Sequence, residues 1–117
     1  MVRNDTEEHD PKGLDPHSPG AKLDAGKPRV GLMFSGFARA LLKVSEVTTF
    51  GALKYSPGGW QHVEDGIKRY DDAKGRHLLY AAIEKIDTDS GLEHAAQEAW
   101  CALAKLELML REEEDDG

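Results

Sequence analysis

Residues 92–111 read LEHAAQEAWCALAKLELMLR, and this run decides the fold. Trp100, Leu103, Leu106 and Leu110 recur at intervals of three and four residues, the spacing of one face of a helix. Ala95, Ala96, Ala99, Ala102 and Ala104 are small enough to let a neighbouring helix approach closely. The spacing predicts a helix from about Leu92 to Arg111. Just before it, Ser90 and Glu93 have the spacing of a capping box, in which each side chain would satisfy an N–H at the helix start.

Working back along the chain, Asp87-Thr88-Asp89-Ser90-Gly91 is a turn. A second helical region is expected from about Val63 to Lys85, with Ile67, Tyr70, Ala73, His77, Ala81 and Glu84 along one stripe. Ser56-Pro57-Gly58-Gly59 stops an earlier helix expected from about Ser35 toward Tyr55, which carries Phe37, Leu41, Val44 and Val47 at helical spacing. The β-branched group Val47, Thr48 and Thr49 weakens the end of that helix. No internal repeat and no alternating strand pattern is present, so the fold class is all-α, a small helical bundle.

Residues 1–21 are polar and rich in Pro and Gly, which predicts a flexible arm; residues 22–111 form the domain, and 112–117 an acidic tail. The formal charge of -7 is concentrated at the two ends. Between Lys22 and Arg111 there are 13 Lys and Arg against 12 Asp and Glu, a near-neutral mixture. Such a surface suits a site for metal ions and phosphates and argues against a duplex-DNA binder, which needs a basic face. The domain is small for a self-sufficient core, so completion by homo-oligomerisation, as a dimer or tetramer, is expected. A single cysteine, Cys101, excludes an internal disulfide and reads as buried filler. No stretch is long and apolar enough to span a membrane and no signal peptide is evident, so the expected location is the cytoplasm.

The candidate chemistry lies in the middle of the chain. Glu84 and Asp87, three residues apart, would share one face of a helix within reach of a hard cation. Glu46 on the first helix, with His94 and Glu98 on the third, would bring further ligands from facing helices. Arg76 and His77, with Lys27 and Lys54, are candidates for phosphate, because a guanidinium fork gives two hydrogen bonds at once. Trp60 or Phe50 could stack on a base, although an aromatic beside a turn also serves to pin a loop to the core. His9-Asp10 resembles the dipeptide of another phosphohydrolase class but falls in the expected arm, and is set aside.

In order along the chain stand Lys22-Leu23-Asp24-Ala25-Gly26-Lys27-Pro28-Arg29, Thr49-Phe50-Gly51-Ala52-Leu53-Lys54-Tyr55, Trp60, Arg76-His77-Leu78-Leu79, Ile86-Asp87, Ser90-Gly91-Leu92, His94, and Ala99-Trp100 with Ala102-Leu103. Together these blocks resemble the phage dATP/dGTP diphosphohydrolases, MazZ-type relatives of the MazG-like all-α nucleotide pyrophosphohydrolases, over about Lys22 to Leu108. The resemblance implies hydrolysis of a purine deoxynucleoside triphosphate to the monophosphate and pyrophosphate by an oligomer using two or more Mg2+ or Mn2+ ions. It also implies a role in shaping the nucleotide pool of phages with 2-aminoadenine DNA. On this reading Glu46 and Glu84 are catalytic, Glu46, Glu84, Asp87 and Glu98 hold metal, and His94 supports them. The superfamily carries ExxE followed by ExxD. Glu84 and Asp87 fit the second element, whereas Glu46 has no acid three residues away, and His77 and His94 stand where further acids would be sought. The alternatives from the residues are a non-catalytic helical binding protein, a pyrophosphatase for other nucleotides, and a triphosphohydrolase of the His-Asp type.

Overall fold

A β-branched stretch stays helical in this protein, with its hydroxyls turned back onto the helix. In the helix formed by Ala38–Lys54, Ser45, Thr48 and Thr49 each donate to the carbonyl one turn back, at 2.8, 3.2 and 3.0 Å. The helix runs through Val47-Thr48-Thr49 to Lys54, where that cluster predicted a weak end. Its start also differs from expectation. A separate helix α1, Val30–Gly36, precedes α2, Ala38–Lys54, and the break falls at Phe37 with φ -120° and ψ 25°. Gly36 at the junction has the poor helix propensity that makes interruption cheap.

The computed structural model describes residues 7–116. The chain divides into two compact units, Met1–Gly36 and Phe37–Gly117. In the first, Asp10 is buried, 5% exposed, and organises the turns around it. Its Oδ2 accepts the backbone N–H of Lys22 at 2.7 Å and its Oδ1 that of Lys12 at 2.6 Å. These bonds, that from Lys22 foremost, hold the carboxyl below the usual carboxylate range. The Asp10 of the dipeptide set aside above thus serves to staple two turns. Lys27 pairs with Glu8 at 2.8 Å in the same unit.

The second unit is the bundle: α2, a short 3-10 turn at Gly59–His62, α3 at Gly66–Ala81, and α4 at His94–Asp116. Pairs along α3 and α4 define an antiparallel hairpin. Asp71 bonds Lys105 at 2.8 Å, the Tyr70 and Trp100 rings meet edge to face at 5.5 Å, and His77 reaches His94 at 3.0 Å. Gly66 opens α3 where an added Cβ would lie 3.0 Å from Leu108, so its missing side chain permits the close approach of the two helices. The core is thin. Ala96, Cys101 and Ala104 are its buried apolar residues, all on α4. Among the described residues there is no strand, only an isolated antiparallel bridge between Ile86 and Glu93, and no helix is long and apolar enough to cross a membrane.

Candidate active site

That bridge sets the site. Helical geometry fails after Ala81 because residues 85–94 fold into a narrow hairpin: His94 N–H donates to the Lys85 carbonyl at 3.0 Å, and Asp87 N–H to that of Leu92 at 2.8 Å. Gly91, with φ 74°, turns the chain between them. Two expectations change as a result. Glu84 and Asp87 do not share a helical face, since α3 ends three residues before Glu84. The capping box does not form either. With Glu93 held in the bridge, α4 begins at His94, and the Ser90 hydroxyl accepts from Leu92 N–H at 3.1 Å while donating to Asp87.

The hairpin brings three sets of side chains together. Asp87 accepts from Asp89 N–H at 3.1 Å, Ser90 Oγ at 3.2 Å and Gln97 Nε2 at 3.0 Å. Burial opposes its charge, but those hydrogen bonds outweigh it and hold the carboxyl below its ordinary range. On the α2 side, Lys54 bonds Asp89 at 2.7 Å and lies 5.7 Å from the centre of the Phe50 ring. Lys43 is shared between Glu46 at 3.4 Å and Glu93 at 3.7 Å. Its pairing with Glu46, before that with Glu93, raises its pKa.

The third set is a line of groups through the mouth of the α3/α4 hairpin. His94, 1% exposed, has the largest fully buried side chain among the described residues. Its Nδ1 faces the Nδ1 of His77 at 3.0 Å, and its Nε2 faces Glu84 Oε1 at 3.3 Å. The Tyr80 ring packs on both imidazoles. Burial first, and His94 second, push the His77 pKa below its ordinary value. Its neighbour Arg76 is exposed and makes no ion pair among the described residues. Glu98 lies one turn beyond His94 and is close enough to act on His77 electrostatically.

Trp60 is placed elsewhere in the bundle. It is half-buried with its ring edge-on to Trp100 at 5.7 Å, and the Arg111 guanidinium lies 5.8 Å from its centre. Its carbonyl accepts the Tyr70 hydroxyl at 2.9 Å, which ties the turn to α3. Together with Val44, Thr48, Leu103 and Leu110 it lines an apolar groove of about 330 Å3. The site residues that sequence spacing did not suggest include Gln97, Tyr80, Asp89 and Lys43. Lys43 alone carried a signal, three residues before Glu46 on one helix face.

Among the described residues, no group of three or more His, Cys, Asp or Glu side chains is gathered as a metal centre. Glu84 is turned to His94, Asp87 is occupied by three donors and Glu46 is paired with Lys43. Cys101 is not a nucleophile, because burial pushes its thiol up to about 11. A thiol-specific disulfide reagent at pH 7.5 is expected to leave it unmodified in the folded protein and to label it fully in denaturant; rapid labelling without denaturant would contradict that burial.

These features define an all-helical domain with an imidazole–imidazole–carboxylate line at the mouth of a helical hairpin. The chain belongs to the family described as dATP/dGTP diphosphohydrolase, N-terminal, whose model matches residues 17–117. Searches of curated proteins and of solved structures give no match.

Proposed function

We propose that this protein hydrolyses dATP or dGTP to the monophosphate and pyrophosphate, and so trims a purine deoxynucleotide pool. Family membership over residues 17–117 carries the reading. The site's chemistry supports it. A half-buried imidazole, His77, whose pKa is held below its ordinary value, follows the exposed guanidinium of Arg76 on α3, and the two supply a proton-accepting and an anion-binding group in this reading. Lys54 adds a cation at the other edge of the hairpin. A divalent ion enters this reading with the triphosphate itself, since Mg2+ is commonly held by one or two carboxylates plus substrate phosphates rather than by an all-protein cage. Each deoxynucleoside triphosphate would be incubated with Mg2+ or Mn2+ and the products separated by chromatography alongside a pyrophosphate assay. The expected products are dAMP or dGMP with pyrophosphate, lost on chelation. A nucleoside with inorganic triphosphate, or no turnover, would overturn the reading.

The working form in this proposal is a homo-oligomer. Leu53, Leu78, Leu79 and Ile83 are 83, 57, 68 and 85% exposed, while only three apolar residues are buried among those described. A second copy of the chain is the occupant that supplies matching apolar faces in a closed assembly. Light scattering coupled to size exclusion is expected to give a dimer or tetramer at micromolar concentration, and Leu79→Glu a smaller species. A monomeric wild type would contradict this.

A further inference from the structure

Two like nitrogens face each other at the mouth of the α3/α4 hairpin: His77 Nδ1 and His94 Nδ1 are 3.0 Å apart. A single hydrogen lies between them, whichever ring supplies it, and without that hydrogen each presents a lone pair to the other. A transition-metal ion is the other positive charge that fits there. Metal–imidazole bonds of about 2.0–2.1 Å, set at right angles or at the tetrahedral angle, put two ligand nitrogens about 2.9–3.4 Å apart. The observed spacing falls in that range, so the rings need little movement to hold an ion.

The surroundings suit a ligand pair. His94 is 1% exposed, and its second nitrogen, Nε2, faces Glu84 Oε1 at 3.3 Å. A carboxylate on the far nitrogen is the partner that orients a metal-bound imidazole and raises its basicity. Glu84, a metal ligand on the family resemblance, acts here through His94. The Tyr80 ring packs on both imidazoles. Asp87 and Glu98 turn negative charge toward His77, against positive charge from Arg76. His77 is half-buried, which leaves a way in from its side. Because the rings come from α3 and from the first residue of α4, an ion between them would join the two helices across the hairpin. No third His, Cys, Asp or Glu among the described residues is gathered with the pair, so water completes the shell and the ion exchanges with solvent.

We propose that His77 and His94 bind a divalent transition-metal ion of the Zn2+ or Ni2+ kind through their facing Nδ1 atoms, with Glu84 holding His94 in place. Imidazole favours such ions, whereas Mg2+ prefers carboxylate, carbonyl and water oxygens, so this site differs from that of an ion arriving with a triphosphate. The proposal does not rest on the pyrophosphohydrolase reading.

The untagged full chain, stripped with a chelator and dialysed, would be titrated by isothermal calorimetry with Zn2+ alone and, separately, with Ni2+ alone. One equivalent per chain is expected, unchanged by an excess of Mg2+, together with a rise in Tm, because an ion that binds only the folded chain stabilises it. His77→Ala should lose that equivalent while keeping its helical circular dichroism, and so should His77→Phe, which keeps an aromatic ring and removes both nitrogens. Glu84→Ala should bind about 10- to 100-fold more weakly. The exposed His17 and His62 are controls, and His17→Ala and His62→Ala should bind as wild type does. No binding by wild type, binding kept in both His77 variants, or an equivalent lost in a control variant instead would overturn the proposal, and unchanged affinity in Glu84→Ala would overturn the part given to Glu84. A protein that binds Zn2+ through His77 but hydrolyses no nucleotide would support the metal pair and overturn the proposed activity alone.

Discussion

Replacing His94 by alanine is expected to lower the unfolding free energy by about 3 kcal/mol, the range for truncating a fully buried, hydrogen-bonded side chain. The ring is 1% exposed, touches the Tyr80 ring and satisfies both His77 Nδ1 and Glu84. Its loss opens a cavity where the end of α3, the hairpin and the start of α4 meet, and it leaves the half-buried His77 nitrogen without its His94 partner. Because a small domain holds about 5–15 kcal/mol in all, the variant should unfold at markedly lower urea. Urea denaturation at fixed protein concentration, with the slope compared between variants, measures this. A loss below about 1 kcal/mol, the scale of a surface substitution, would mean that His94 is not a packing centre.

How much of this was legible before the structure differs from element to element. The run from Leu92 to Arg111 announced α4, because bulky residues at helical spacing and small residues between them leave no competing strand reading. The start of the earlier helix was misplaced: Val30-Gly31-Leu32-Met33-Phe34 is too short a stretch to show a period, and the break at Phe37 is a matter of backbone angle. The end of α3 was misplaced for a different reason. Ala81-Ala82-Ile83-Glu84-Lys85 has good local helix propensity, and the hairpin pairing of Ile86 with Glu93 just beyond it overrides it.

The site followed the same division. Arg76, His77, His94 and Asp87 were visible as residue types in a family-like order, and the structure gathers His77, His94 and Asp87 at one hairpin. Their connections were not visible. The Lys54–Asp89 pair spans 35 residues, and the imidazole contact spans 17. Spacing within one helix cannot reveal either of them. The helical face expected for Glu84 and Asp87 assumed a continuous helix, so its failure follows from the hairpin rather than from the choice of residues. Asp10 was set aside because it falls in the expected arm, and its structural partners are backbone N–H groups, which no side-chain pattern encodes.

Asp87→Ala should be nearly as damaging as the loss of His94, and its effect should depend on pH. The carboxylate is the common acceptor for Asp89 N–H, the Ser90 hydroxyl and the Gln97 amide, so its removal loosens the turn and its tie to α4 together. A cost of about 2 kcal/mol at pH 7 is expected from stranding donors that are partly buried. Because the folded-state pKa lies below the unfolded value of about 3.9, the folded protein binds the proton more weakly than the unfolded chain does. The stabilisation is therefore fully present above about pH 4 and disappears as pH falls through the folded value. Wild type should lose stability on acidification through that window, and the gap between wild type and Asp87→Ala should narrow. Asp10 and Asp71, whose pKa values are also held down, contribute to the wild-type slope but not to the gap between the two proteins. Thermal melts of both at pH 7, 5, 4 and 3 measure the difference. A gap that stays constant across those values would show that the turn is held by shape and backbone bonds, and that the charge on Asp87 is incidental to it.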